Sequence, residues 1–220
     1  MKKLTSKIAI LALSFLPMFG FQSASAIEGV AIGIGYQESA YYGVGEESST
    51  SSGDNTAKKI TKEAGAFQAG APVVFIEVAA NDQVSLGFEY VTEDIDTPQN
   101  LNNQDGTSNT VQATFTDHYM LYANVSMPFN TYFKAGYIMA DIVTKESLGT
   151  GGEYPNVDTT GLTVGLGYHH DLDNGVFFRA EVAVAEYDDV TASNSNETDK
   201  TVTVSDMMSA TAQIKVGKSF

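Results

Sequence analysis

TVTVSDMMSATAQIKVGKSF, residues Thr201 to Phe220, closes the chain on an aromatic residue after a run that changes character at every second position. Val202, Val204, Met208, Ala210, Ala212, Ile214, Val216 and Phe220 form one set, and Thr203, Ser205, Ser209, Thr211, Gln213, Lys215 and Gly217 the other. A period of two is that of a β-strand, whose successive side chains point to opposite faces. The stretch therefore predicts a strand with one oily face and one wettable face. A chain that stops inside such a strand has no tail to spare, so Phe220 is expected to be structural.

Working back from this strand, the same alternation recurs in seven more stretches. Val30, Ile32, Ile34 and Tyr36 alternate with Ala31, Gly33 and Gly35 in a first strand that runs on toward Gly45. Val74, Ile76 and Val78 flank Glu77; Val84, Leu86, Phe88 and Tyr90 interleave with Ser85, Gly87 and Glu89. Phe115, Tyr119, Leu121, Ala123 and Val125 stand against His118, Tyr122 and Asn124, and Phe133, Ala135, Tyr137 and Met139 against Lys134 and Gly136. Leu162, Val164, Leu166 and Tyr168 alternate with Thr163, Gly165, Gly167 and His169, and Phe178, Ala180, Val182 and Val184 with Arg179, Glu181 and Ala183.

The connections alternate too. Ala80-Asn81-Asp82, Pro128 to Asn130 and Asp171 to Gly175 are short and rich in turn formers, whereas about 46–63, 95–110, 147–158 and 189–200 are long polar loops. Short turns at one end and long loops at the other predict an all-β, eight-stranded antiparallel up-and-down transmembrane β-barrel. Folding the fourth and fifth strands about Phe129 sets Val125 against Phe133 and Asp117 against Asp141. Folding the sixth and seventh about Asp173 sets Tyr168 against Phe178 and Leu162 against Val184.

The start of the chain and its composition restrict the setting. Lys2, Lys3 and Lys7 precede an apolar run from Ile8 to Phe21 and then Ala24-Ser25-Ala26, so residues 1–26 read as a secretory signal peptide and 27–220 as the barrel domain. No later stretch is oily and long enough for a spanning helix, so a membrane crossing has to be made by strands. The net charge of −15 excludes nucleic acid as a partner, since phosphates need a basic surface. The absence of cysteine excludes disulfides and thiol chemistry.

Alternation by itself does not say which face is inside. The charges do. On the apolar register the first acidic residues are Glu38, Asp94, Asp117, Asp141, Glu186 and Asp206, each roughly ten or more residues from the short-turn end, about the length of a tilted membrane-crossing strand. On the other register Glu77, Glu89, Glu181, Lys134, Arg179 and Lys215 fall inside that band. Three acids and three bases cancel, and a lumen of eight strands is just filled by side chains. They are expected to pair as a lumen ionic network, with the glycines of that register making room for them. A soluble barrel with the reverse orientation would have its apolar faces around a central hollow.

The signal peptide, the eight strands, the charged inner register and the terminal Phe220 together resemble the small outer-membrane barrels of the OmpA-domain, OmpX and opacity type over the whole mature chain. The resemblance implies that Ile214, Val216 and Phe220 form the C-terminal signal read by the barrel-insertion machinery, with Lys218 where that signal often carries an aromatic. It also implies a place in the bacterial outer membrane after export to the periplasm, among outer-membrane lipids and lipopolysaccharide. Phe129, Phe133, Phe178 and Phe220 are expected at one membrane interface and Tyr36, Tyr42, Tyr90 and Tyr119 at the other.

His118, His169 and His170 lack a serine and a carboxylate secured by spacing, so they read as lumen or turn residues rather than as a triad. The acidic loops carry no twelve-residue calcium motif. No cofactor, metal site or catalytic residue is expected. The functional expectation is a monomer with a plugged, charged lumen, acting in surface interaction or envelope integrity through four outer loops with an unknown extracellular ligand. A narrow porin-like channel for small solutes or ions is the alternative, followed by a lipid-modifying barrel enzyme.

Overall fold

In the computed structural model, residues 29–50, 58–104, 107–148 and 152–220 are described; the signal peptide expected at 1–26 lies outside them. The ring strands are β1 (Val30–Thr50), β2 (Lys58–Ala79), β3 (Val84–Val91), β6 (Thr107–Met127), β7 (Thr131–Ser147), β8 (Val157–Asp171), β9 (Val176–Tyr187) and β11 (Thr201–Ser219). The short strands β4 (Ile95–Asp96), β5 (Asn100–Gln104) and β10 (Val190–Ser193) pair only with β6 or β11. Each ring strand pairs antiparallel with the next, and β1 pairs with β11 from Ala31↔Ser219 upward, so the eight strands close into a ring. Closure satisfies the backbone polar groups that an open sheet would leave facing lipid. Gly29 and Phe220 complete the seam: the Gly29 amide donates to the Phe220 carbonyl at 2.9 Å and the Phe220 amide to Val30 at 2.9 Å.

The turns at one end are tight for local chemical reasons. Between β2 and β3, the Asn81 carboxamide oxygen accepts from the amides of Gln83 and Val84, each at 2.9 Å, which imitates a backbone turn. Between β6 and β7, Phe129 and Asn130 take left-handed φ values of 66° and 57°. Between β8 and β9, Asn174 and Gly175 do the same, and the Leu172 amide donates to Val176. That places the hairpin centre at Asn174 rather than at Asp173. The β8–β9 register is accordingly Tyr168↔Ala180 and Leu162↔Glu186, two residues away from the expected pairing. An even shift keeps outward side chains opposite outward ones. The β6–β7 register from Val125↔Phe133 to Tyr119↔Met139 follows the sequence expectation.

At the other end two of the four long polar stretches, about 46–63 and 95–110, are largely strand among the described residues. β1 and β2 stay paired out to Thr50↔Lys58, and β5 and β6 form a hairpin that ends at Gln104↔Thr107. Polar composition masked these extensions, because a two-stranded ribbon in water has no oily face to reveal its period. Strands of 21 and 22 residues in β1 and β2 are about twice the length that crosses a bilayer, so roughly half of each stands clear of it.

Two one-residue bulges overturn part of the expected facing. Between β6 and β7 the register shifts between Thr116 and Tyr119, so Asp141 faces Thr116 on one side and Asp158 on the other, not Asp117. Between β11 and β1 it shifts across Met208↔Tyr42 and Ser205↔Val44. Asp117 and Asp206 occupy these bulges with φ of 48° and 52°, a conformation that Asp tolerates better than most residues. A bulge reverses the parity of everything beyond it. Phe115, Val202 and Val204, expected on the outside, consequently turn inward at the long-loop end.

Below the bulges the facing is as the charges require. Ile34, Leu162, Ile214 and Val182 are 59–67% exposed on the outside, while Lys134 and Lys215 are each 1% exposed within the barrel. An apolar belt around a polar core is the inverse of a soluble barrel.

The lumen charge cluster as candidate functional site

The six charged residues expected in the lumen come from five strands and meet in two groups. Nearer the short-turn end, Arg179 of β9 grips Glu77 of β2 with both guanidinium nitrogens, Nη1 to Oε2 at 2.5 Å and Nη2 to Oε1 at 2.9 Å. Glu77 also accepts from the Tyr122 hydroxyl at 3.0 Å, the Asn124 amide at 3.1 Å and the Ser85 hydroxyl at 2.9 Å. A two-point guanidinium–carboxylate contact fixes orientation as well as charge. Arg179 Nε donates to His169 Nδ1 at 2.8 Å, and His169 Nε2 meets Asp171 at 2.8 Å, so the chain of contacts reaches the β8–β9 turn.

Above this pair, Glu89, Lys134, Glu181 and Lys215 alternate in sign around a closed ring. Lys134 Nζ lies 2.9 Å from Glu181 and 3.6 Å from Glu89, while Lys215 Nζ lies 2.5 Å from Glu89 and 3.6 Å from Glu181. Gln213 donates to Glu89 at 2.9 Å and the Tyr132 hydroxyl to Glu181 at 2.9 Å. Lys134 also sits 4.2 Å from the centre of the Tyr122 ring. Burying one such ion alone would cost several kcal/mol. Mutual pairing with further hydrogen bonds is what makes four in one layer tolerable.

The glycines of the inner register serve rings more than charges. Gly33, Gly87, Gly167 and Gly217 lie directly opposite Phe75, Tyr122, Tyr132 and Phe177 on the neighbouring strands. A Cβ at Gly87 or Gly167 would stand 2.2 Å or 2.1 Å from a ring carbon of Tyr122 or Tyr132. The Tyr122 and Tyr132 rings thus lie over a bare stretch of backbone, with their hydroxyls carried to Glu77 and Glu181. On the inner register Gly35 makes room for a charged side chain, the stem of Lys215, whereas Gly136 faces Met120 and Thr163 and Gly165 faces Ala183. Tyr132 and the floor rings Phe75 and Phe177, 6.2 Å apart, are lumen residues that alternation did not single out. Their signal was the glycine facing them across the sheet, readable only once register is known.

The remaining candidates are placed as follows. Ile214 and Val216 face outward on β11, with Phe220 half exposed at the seam. His118 is half-buried beside Tyr187, and a cavity of about 40 Å³ separates the charged ring from the Tyr41 and Tyr187 rings above it. That is room for one or a few waters. Tyr90 and Tyr119 stack at 5.0 Å on the outer face.

The hairpins beyond the bulges carry their own polar ties. Asp96 accepts from the Thr114 hydroxyl at 2.5 Å and pairs with Lys145 at 3.0 Å, and these contacts hold its carboxyl below the usual range. The Tyr154 amide donates to Glu146, and burial followed by the nearby charge of Glu47 pushes the Tyr154 hydroxyl up to about 12.

No protein-family model matches the sequence, and no characterised protein matches it. Among solved structures, the outer membrane protein OprG of Pseudomonas aeruginosa overlays with a TM-score of 0.57 at 13% identity, over 89% of this chain and 99% of that one. The outer membrane protease OmpT of Escherichia coli gives 0.45 at 8% identity over 90% and 99%, and Neisserial surface protein A gives 0.38 at 11% over 84% and 97%. With its closed ring, its oily belt and its charged interior, the chain has the fold of the small outer-membrane β-barrels.

Proposed function

We propose that this chain, once freed of residues 1–26, stands in a bacterial outer membrane as a plugged monomeric barrel. Its work is done by the strand extensions that rise from the lipid, in surface interaction or envelope integrity. Ile214, Val216 and Phe220 serve as the insertion signal, and the acidic extensions lie against lipopolysaccharide. The observation that carries the reading is the four-residue ring of Glu89, Lys134, Glu181 and Lys215, all 6% exposed or less. An ion on its way through would have to break contacts of 2.5 and 2.9 Å.

Planar-bilayer recording tests this. The purified barrel is expected to give no stable conductance, and opening of the ring by the paired change Lys215→Ala and Glu89→Ala is expected to produce one. Steady channels from the unaltered protein would move the narrow-pore reading into first place.

A further inference from the structure

The inner surface changes character at the height of Asp117 and Asp206. Below it the lumen is charged; above it, the parity reversal turns Phe115, Val202 and Val204 inward to join Tyr41, Phe67 and Ile142, which the inner register of β1, β2 and β7 already carries. The result is a vestibule of about 550 Å³ at the mouth of the barrel, a volume within the range of small-molecule sites. Its floor is made of Tyr41, Phe67, Phe115 and Met207, with Tyr41 stacked 5.0 Å from Phe67 and 6.1 Å from Phe115 at interplanar angles of 18° and 16°. Its walls include Ile142, Val157, Val190, Val202 and Val204.

An apolar bowl of this size open to water is an unfavourable surface for a protein to maintain unless something occupies it. Among the described residues Glu63 is the one charged side chain that lines the vestibule, and the chain as a whole carries −15. Both features disfavour an anionic amphiphile. The near-parallel rings of the floor favour a flat one.

We propose that the vestibule binds an uncharged aromatic small molecule from the external water. The inference rests on the plugged-barrel reading in one respect, that the charged ring beneath makes the vestibule a terminus and not the entrance of a passage. The bulges are then the device that builds it, since each turns a strand's apolar side chains from the outside to the inside at the membrane edge.

The test uses the full barrel in lipid nanodiscs with methyl-labelled methionine, read by NMR during titration with naphthalene. The Met207 methyl on the floor is expected to shift saturably, whereas that of Met127, at the opposite end of the barrel, is not. Val204→Phe and, separately, Ala192→Phe narrow the vestibule and are expected to weaken the response at Met207 at least about tenfold, a change of about 1.4 kcal/mol. The anion 2-naphthoate is expected to bind about tenfold more weakly than naphthalene, with Glu63→Gln reducing the difference. Equal, non-saturating shifts at Met207 and Met127 would mean partition into lipid and would overturn the proposal, as would unchanged binding in both narrowed variants. Loss of the Met207 response in a barrel that conducts nothing removes this inference alone, and saturable binding in a barrel that conducts steadily removes only the plug.

Discussion

Arg179 and Glu77 lie 102 positions apart in the chain and meet inside the barrel through two parallel hydrogen bonds of 2.5 and 2.9 Å. Neither residue has a charged partner on its own strand within that layer, so the pair exists only because the sheet closes. It links the floor rings, through a guanidinium 4.6 Å from the centre of Phe177, to the polar layer above.

Breaking this pair from one side leaves a charge buried without its counterion. Arg179→Met is expected to lower stability by about 3–5 kcal/mol. The double variant Arg179→Met/Glu77→Gln should lose clearly less than the two single changes added together. Urea unfolding of the barrel in lipid vesicles measures this. Additive losses, or a single loss under about 1 kcal/mol, would show that the contact is not coupled.

Gly167→Ala would put a methyl group into the Tyr132 ring, 2.1 Å from its nearest carbon. Displacing that ring also withdraws its hydroxyl from Glu181. A cost of about 1–3 kcal/mol is expected, typical of overpacking. Gly65→Ala is the control, since a Cβ there meets nothing within 4 Å. Equal stability of the two variants would refute the ring-over-glycine arrangement.

The absence of cysteine makes orientation directly measurable. Lys59→Cys, on the extended β1–β2 hairpin, should react with a membrane-impermeant maleimide on intact cells. Asp82→Cys, in the short β2–β3 turn, should react only after the envelope is opened. The reverse pattern would invert the barrel in the membrane.

Tyr154 provides a pH signature for the outer hairpins. Burial and the charge of Glu47 raise its hydroxyl from 10.0 to about 12 in the folded protein. The folded state therefore holds this proton more tightly than the unfolded one. Its contribution to stability is fully present below pH 10 and is lost as the pH rises toward 12. A difference titration between the native protein and Tyr154→Phe, followed by phenolate absorbance, should show one step near pH 12 when folded and near 10 in urea. A folded step at 10 would mean that Tyr154 is freely solvated.

Residue order determined much of this molecule. The alternation of Leu162, Val164, Leu166 and Tyr168 with small or polar neighbours, the turn chemistry of Asn81 and Pro128, and the confinement of Glu77, Glu89, Lys134, Arg179, Glu181 and Lys215 to one register are local properties. They specify strands, their succession and the oily side, because strand parity needs no knowledge of partners.

Tertiary structure alone decided three things. Which acid meets which base depends on stagger around a closed ring, as with Arg179 reaching Glu77 across the lumen. The seating of Tyr132 over Gly167 depends on the β7–β8 register, which no tight turn fixes because a long connection joins those two strands. The inward turn of Phe115, Val202 and Val204 depends on single extra residues at Asp117 and Asp206. A bulge is defined by a mismatch between two strands, so it leaves no mark on either strand read alone, yet it reverses every side chain beyond it.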